Sequence, residues 1–224
     1  MQKGKLIVIE GLDGSGKATQ TQKATEALSA AGVLVRQVSF PNYQSPASAP
    51  VKMYLEGAFG DNAGDVNAYA ASAFYAVDRY ASWKTDWQPF YENGGIVLAD
   101  RYTTSNIIHQ CAKLPETQRE EYVAWLEDFE YARLGIPRPG LVLYLDVEPE
   151  VSQQLLTRRY AGDNAKKDIH ERDVDYLLHC RSQALWAAKA LGWHRILCSE
   201  AGCMRGIDEV AADIMRQIRE TIHL

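Results

Sequence analysis

Residues 11–17 read Gly-Leu-Asp-Gly-Ser-Gly-Lys, between an apolar run, Leu6–Ile9, and an amphipathic stretch that begins at Lys17. G-x-x-x-x-G-K following a strand and opening a helix is the spacing of a phosphate cradle. The glycines let backbone N–H groups turn inward around phosphate oxygens, and the helix adds its positive N-terminal end. Gly11, Asp13, Gly14, Ser15, Gly16, Lys17, Ala18 and Thr19 are therefore the candidate nucleotide-phosphate-binding residues. Lys17 is expected to reach the β- and γ-phosphates as a point charge.

A strand–turn–helix of this kind belongs in an α/β sheet, and the rest of the chain agrees. Short apolar runs recur at Leu6–Ile9, Val33–Phe40, Ile96–Ala99, Leu141–Leu145 and Ile196–Cys198. They are too continuous for strands with one wet face and read as buried parallel strands. Helical stretches lie between them, at about Lys17–Ala31, Asp65–Trp87, Thr103–Ala112, Glu116–Leu134, Pro149–Arg159, Glu171–Ala190 and Ile207–Ile222. The alternation predicts a doubly wound, five-stranded parallel sheet with helices on both faces, in a single domain over residues 1–224. Ligands of such sheets bind beyond the carboxyl ends of the strands. Two loops stand out, Pro41–Pro50 and Ala161–Asp168, and long loops in compact domains are disproportionately functional.

The residue after Lys17 departs from the strict motif. Ala18 stands where Ser or Thr usually places a hydroxyl on magnesium, and Thr19, one position on, points elsewhere. Mg²⁺ is then expected to be held by phosphate oxygens, water and a carboxylate, since the ion keeps several waters anyway. The departure argues against a switch GTPase.

A second constellation closes the third apolar run, where Ile96–Ala99 leads into Asp100-Arg101-Tyr102. Adjacent strand residues point to opposite faces. One can look toward metal and nucleotide while the other reaches an acceptor phosphate, for which an arginine fork is well suited. Upstream, Tyr75 and Arg79 are spaced i, i+4 and share a helical face. They could stack on a base and bond its edge; a core tyrosine with a solvated arginine fits the spacing as well.

Bulk properties narrow the partners. The formal net charge is −5, from 24 Lys+Arg against 29 Asp+Glu. That is a poor basis for general nucleic-acid or anionic-membrane binding. No uncharged apolar run approaches the ~20 residues of a membrane span. The N-terminal residues run straight into the first strand without the apolar core of a secretion signal. Cys111, Cys180, Cys198 and Cys203 include no C-x-x-C pair, and they read as free thiols of a reducing cytoplasm.

Taken in order along the chain, these segments resemble the thymidylate kinase family of P-loop nucleoside monophosphate kinases. The likeness is carried by Gly11–Lys17, Phe40-Pro41-Asn42-Tyr43, Ala76-Val77-Asp78-Arg79, Asp100-Arg101-Tyr102 with Ser105-Asn106, and Ala132–Pro139. It continues through Leu141–Asp146 to His170-Glu171-Arg172-Asp173. The resemblance implies transfer of the γ-phosphate of ATP to dTMP, with Mg²⁺, in a homodimer whose protomers carry a short helical lid at about residues 158–172. It implies that Asp13 approaches the thymidylate sugar and phosphate, sometimes through magnesium, and that Asp100 supports the metal and phosphate site. Arg101 would bind the acceptor phosphate, with the Tyr43 hydroxyl nearby and Phe40 in the pocket wall. Tyr75 would stack on thymine in place of the family's usual phenylalanine, Arg79 would donate to thymine O4, and Ser105 and Asn106 would lie at the acceptor, Asn106 contacting the base. Glu171 is similar to the lid acid near the sugar. His109 replaces a tyrosine that in some relatives lies close to the sugar. Gly14 stands where other members have an arginine, which in the family assigns the transition-state charge to the lid. Lys166 and Lys167 are the candidates here, with Arg158, Arg159 and Arg172.

The implied reaction is in-line phosphoryl transfer from ATP. The attacking oxygen of a monophosphate is already ionised near neutral pH, so alignment and charge neutralisation carry the catalysis. A kinase for another acceptor stays open, because Gly16-Lys17-Ala18-Thr19-Gln20 also resembles the corresponding stretch of adenylate kinases. A non-catalytic nucleotide-binding module is the rival from another class.

Overall fold

In the computed structural model, which describes residues 3–159 and 174–224, the apolar runs pair side by side in one sheet. The strands are β1 (Lys5–Gly11), β2 (Val35–Ser39), β3 (Ile96–Asp100), β4 (Leu141–Asp146) and β5 (His194–Leu197). Their order is β2-β3-β1-β4-β5 and every neighbouring pair is parallel, as the alternation predicts.

Side-chain alternation along each strand divides the core into two layers. Leu6 and Val8 of β1, Val97 and Ala99 of β3, and Val142 and Tyr144 of β4 face one way. They are covered by α3 (Ala68–Ser82), α5 (Thr103–Cys111), α6 (Arg119–Glu127) and α8 (Val174–Ala190). Ile7, Ile9, Leu98, Leu143 and Leu145 face the other way, against Ala24 and Leu28 of α1 (Lys17–Ala30) and Val210, Ile214 and Ile218 of α9 (Ile207–Ile222). Each fully buried Leu or Ile contributes ~1.5–3 kcal/mol relative to an exposed one, so the sheet is sealed on both faces.

The structure differs from the sequence-based expectation where local chemistry interrupts a periodic pattern. The helix expected over Asp65–Trp87 begins at Ala68, because the Asn67 side chain accepts from the Ala70 N–H at 2.9 Å and caps it. It ends in a wider turn at Trp83–Trp87 and runs on into α4 (Gln88–Glu92). The expected Glu116–Leu134 helix is likewise α6 followed by a wide turn at Asp128–Arg133. The proline-rich loop after β2 leads into a helix, α2 (Ala49–Leu55), with Pro50 in its first turn, where a missing N–H costs nothing. A two-residue ribbon, β6 (Ser199–Glu200) against β7 (Cys203–Met204), follows β5. α7 (Pro149–Arg159) matches its expected bounds. No helix among the described residues is long and apolar enough to cross a membrane. All four cysteines are free thiols, three of them buried.

Candidate active site

The carboxyl ends of β1 and β3 and the segment after β2 open onto one edge of the sheet, and the predicted residues collect there. Gly11 must be a glycine: an added Cβ would lie 2.5 Å from Ser15 Oγ and 2.9 Å from the Leu145 carbonyl. Gly16 holds φ at 82° directly before α1, a left-handed turn that aims the first helical N–H groups into the loop. Lys17 folds back over this turn and donates to the Leu12 carbonyl at 2.8 Å. The residue is only 8% exposed. Burial, and then the Arg101 charge, push its pKa down to about 8. Ala18 and Thr19 are exposed on the first turn of α1 and, with Asp13–Lys17, line a cleft that reaches Asp100 and Arg101.

One expectation needs correction. Asp100 and Arg101 are not successive strand residues facing opposite ways. Asp100 ends β3, and Arg101 sits at φ 67°, in the left-handed region that a side chain rarely adopts. The turn swings the guanidinium back over the phosphate cradle, where Nη2 donates to Asp13 Oδ1 at 2.6 Å. Nη1 lies 3.2 Å from His109 Nε2 and 3.4 Å from Ser105 Oγ. Burial would raise the Asp13 pKa, but Arg101 and Lys17 override it and hold the carboxyl well below the usual carboxylate range. The same carboxylate keeps the Arg101 guanidinium charged despite its burial.

What secures that turn is Glu10, a residue absent from the sequence-based candidates. It is fully buried at the end of β1. Its carboxylate accepts from the Tyr102 N–H at 3.2 Å, Thr104 Oγ1 at 2.6 Å and Ser105 Oγ at 2.9 Å. Burial pushes its pKa up, and the Arg101 charge and the two hydroxyls oppose the shift. Its signal in the sequence is an acid inside an otherwise apolar strand.

Beside the cradle lies a second, narrow pocket. Phe40, Tyr43, Tyr75, Arg79, Arg101, Ser105, Asn106 and His109 all line it, as does Asp13. Phe40 is buried against Tyr102, with ring centroids 5.9 Å apart. Asp78 accepts from the Asn42 N–H at 2.8 Å and so ties the Phe40–Tyr43 segment to α3. Tyr43 is half exposed at the pocket mouth. Arg79 is not solvated: Glu130 takes Nε at 2.7 Å and Nη2 at 2.6 Å. Asn106 Nδ2 reaches the same carboxylate at 3.4 Å. Glu130 carries no sequence signal, because its partners come from other helices.

The two cavities share Asp13, Phe40, Pro41, Tyr43 and Arg101 as common wall. Two phosphate-bearing ligands, one in each, would thus meet at the Asp13–Arg101 pair. Asp100 Oδ1 is buried there with no hydrogen-bond partner. An orphaned carboxylate oxygen beside a phosphate cradle suits a hydrated divalent cation. No group of three or more His, Cys, Asp or Glu among the described residues could hold a metal by itself. Lys166, Lys167, Glu171 and Arg172, the remaining predicted lid residues, lie outside the described residues, while Arg158 and Arg159 close α7.

Known proteins resemble this chain in fold and in sequence. A structure of thymidylate kinase from Candida albicans superposes with a TM-score of 0.70 at 22% identity, covering 99% of this chain and 93% of the other, which is a likeness of fold. The probable thymidylate kinase of Pyrobaculum calidifontis is 28% identical over 217 residues, covering 96% of both chains. The thymidylate kinase of Mycobacterium tuberculosis is 36% identical over 191 residues, 84% of this chain and 87% of its own length. The model of the family itself matches residues 9–201, and with that span and that identity the chain belongs to the thymidylate kinase family.

Proposed function

We propose that this protein transfers the γ-phosphate of ATP to dTMP, giving dTDP. The observation that carries the reading is the shared wall: a phosphate cradle and a second pocket lined by Tyr75, Arg79 and Asn106 meet at Asp13 and Arg101. ATP lies in the cleft of Gly11–Thr19, with Lys17 on its β- and γ-phosphates. The monophosphate occupies the second pocket, its phosphate against Arg101 and its base between Tyr75 and Arg79. Phosphoryl transfer then needs little covalent help from the protein. The acceptor oxygen is already ionised, and the fixed charges of Lys17 and Arg101 offset the repulsion of two polyanions. Asp13 holds Arg101 in place while its own charge stays fixed. Asp100 Oδ1, with Asp13, would hold Mg²⁺ through the ion's waters; the ion would neutralise phosphate charge, and Ala18 offers it no hydroxyl.

We further propose a homodimer, supported by Val77 and Tyr80, which stand 52% and 40% exposed on α3. Free buried thiols are in keeping with work in the cytoplasm. The test of the activity is a coupled ADP-release assay across dTMP, dUMP, dCMP, AMP and thymidine, with sedimentation of the same preparation for its oligomeric state. ADP release strongest with dTMP supports the reading. Equal release with AMP, or release without any acceptor, overturns it.

A further inference from the structure

Ser152 is buried in the first turn of α7, with its backbone N–H on the Glu148 carbonyl at 3.0 Å. A serine or threonine hydroxyl inside a helix commonly bonds back to the carbonyl one turn earlier. Thr157 of the same helix does so, to Gln153 at 2.9 Å, as do Thr21 in α1 and Ser72 in α3. Ser152 does not. Its Oγ leaves the helix and donates to the main-chain carbonyl of Asp13 at 2.7 Å, across 139 positions of sequence.

Asp13 is thereby held at two ends. Its carbonyl takes the Ser152 hydroxyl, and its Oδ1 takes Arg101 Nη2 at 2.6 Å. The helix that offers the hydroxyl is itself pinned. Glu148, just ahead of α7, donates its N–H to Ser199 Oγ at 2.7 Å and accepts the Gly202 N–H on Oε2 at 2.9 Å. Both partners belong to the β6–β7 ribbon and its turn. Ser152 thus has a fixed seat. Asp13 lies instead in a glycine-rich loop, ahead of Gly14 and Gly16 at φ 79° and 82°, where the backbone is freest to move.

We infer that Ser152 is a positioning residue for Arg101, acting through Asp13: its hydroxyl fixes the main chain of the cradle at the residue whose carboxylate holds the guanidinium. This rests on Arg101 facing the acceptor phosphate, as proposed above. Without the hydroxyl the Asp13 carbonyl loses that partner and the peptide unit is free to turn. The carboxylate moves with it, because both hang on one Cα, and the hold on Arg101 Nη2 loosens. Lys17 has support of its own. Its ammonium bonds the Leu12 carbonyl and its backbone opens α1, so the end of the cradle that meets the donor phosphates is spared.

Ser152→Ala should raise the KM for dTMP about fivefold, the scale of one net hydrogen bond, with the KM for ATP within about twofold of wild type. Ser152→Thr keeps a hydroxyl and should bring the dTMP KM back to within about twofold. Because the effect runs through Asp13, it should vanish in an Asp13→Ala background, where the double variant should match Asp13→Ala alone. The hold on the guanidinium is also read without any assay of transfer, from rotation about the Arg101 Nε–Cζ bond by ¹³C-detected NMR, with Arg101→Lys to assign the signal. That rotation should be faster in Ser152→Ala than in wild type. A lowered melting temperature with KM and rotation unchanged would mean packing alone and overturns the inference. So does a full fivefold effect of Ser152→Ala in the Asp13→Ala protein. Arg101→Ala, assayed alongside, keeps the two readings apart. If it leaves the dTMP KM unchanged while Ser152→Ala speeds the rotation, the acceptor-phosphate assignment is overturned and the Ser152–Asp13 relation stands.

Discussion

Arg79 and Glu130 face each other as a two-pronged ion pair, Nε to Oε2 at 2.7 Å and Nη2 to Oε1 at 2.6 Å, with 1% and 0% of the side chains exposed. The pair fixes which way the guanidinium looks. Nη1 turns toward the Tyr102 carbonyl at 3.4 Å and the pocket beyond it. Every remaining N–H is a donor, so the pocket floor offers donors to whatever base lies against it.

Acceptor choice follows from that polarity. Thymine and uracil present an oxygen at position 4, whereas cytosine presents an amino donor. Leaving buried polar groups unpaired costs about 1–3 kcal/mol, so kcat/KM for dTMP should exceed that for dCMP by roughly tenfold or more. dUMP should be poorer than dTMP and still used. Arg79→Ala should damage dTMP use much more than dCMP use; equal loss on all acceptors would make Arg79 a structural residue.

Removing the other half of the pair is expected to act mainly on stability. Glu130→Ala leaves an uncompensated charge in the core, which costs about 3–5 kcal/mol. Urea unfolding reads this as a lowered midpoint with an unchanged slope. A midpoint like that of wild type would mean the pair contributes nothing to the fold.

Lys17 links activity and stability to pH in opposite directions. Burial and the Arg101 charge bring its pKa in the free protein down to about 8 from 10.5. Phosphate binding needs the charged ammonium, so kcat/KM for ATP, which reports groups of the free enzyme, should fall as pH rises through about 8. Between about 8 and 10.5 the unfolded chain holds more protons at this site than the folded one, so its contribution to stability rises with pH there. A flat profile across that interval would contradict the assignment. Lys17→Ala should reduce transfer by about two to three orders of magnitude in a folded protein.

Glu10 should matter to the acceptor without touching it. Glu10→Gln keeps the volume but replaces an acceptor oxygen with a donor beneath the Tyr102 N–H and two hydroxyls. A stability loss of about 1–3 kcal/mol is expected, together with a raised KM for dTMP as the Arg101 turn loosens. A variant that loses stability but keeps the acceptor KM would confine Glu10 to the fold.

Chelation of divalent cations should stop transfer. Asp100→Ala should raise the Mg²⁺ concentration for half-maximal rate by about tenfold, the low end of what an outer-shell carboxylate is worth. An unshifted magnesium dependence would remove Asp100 from the metal site.

Much of this was legible in one dimension because it is local. The cradle of Gly11–Lys17 is contiguous, and its flanking strand and helix follow from adjacent hydrophobic periodicity. Parallel pairing follows from strands that are apolar on both faces. Tyr75 and Arg79 share a face because one helical turn separates them. Each of these inferences needs only residues within a few positions of one another.

The sequence by itself therefore determined the class of fold, the Gly11–Lys17 strand–turn–helix and the helical face that Tyr75 and Arg79 share. The tertiary structure alone decided what each charge does. Arg79 is neutralised by Glu130, and Arg101 is shared by Asp13 and His109, because packing brings α3, α5, the loop after β1 and the turn after α6 into contact. A burial penalty and a hydrogen-bond partner exist only once distant segments share a low-dielectric space. That is why the left-handed turn at Arg101, the acid beneath it and the serine that reaches Asp13 from α7 have no counterpart in any local pattern of the chain.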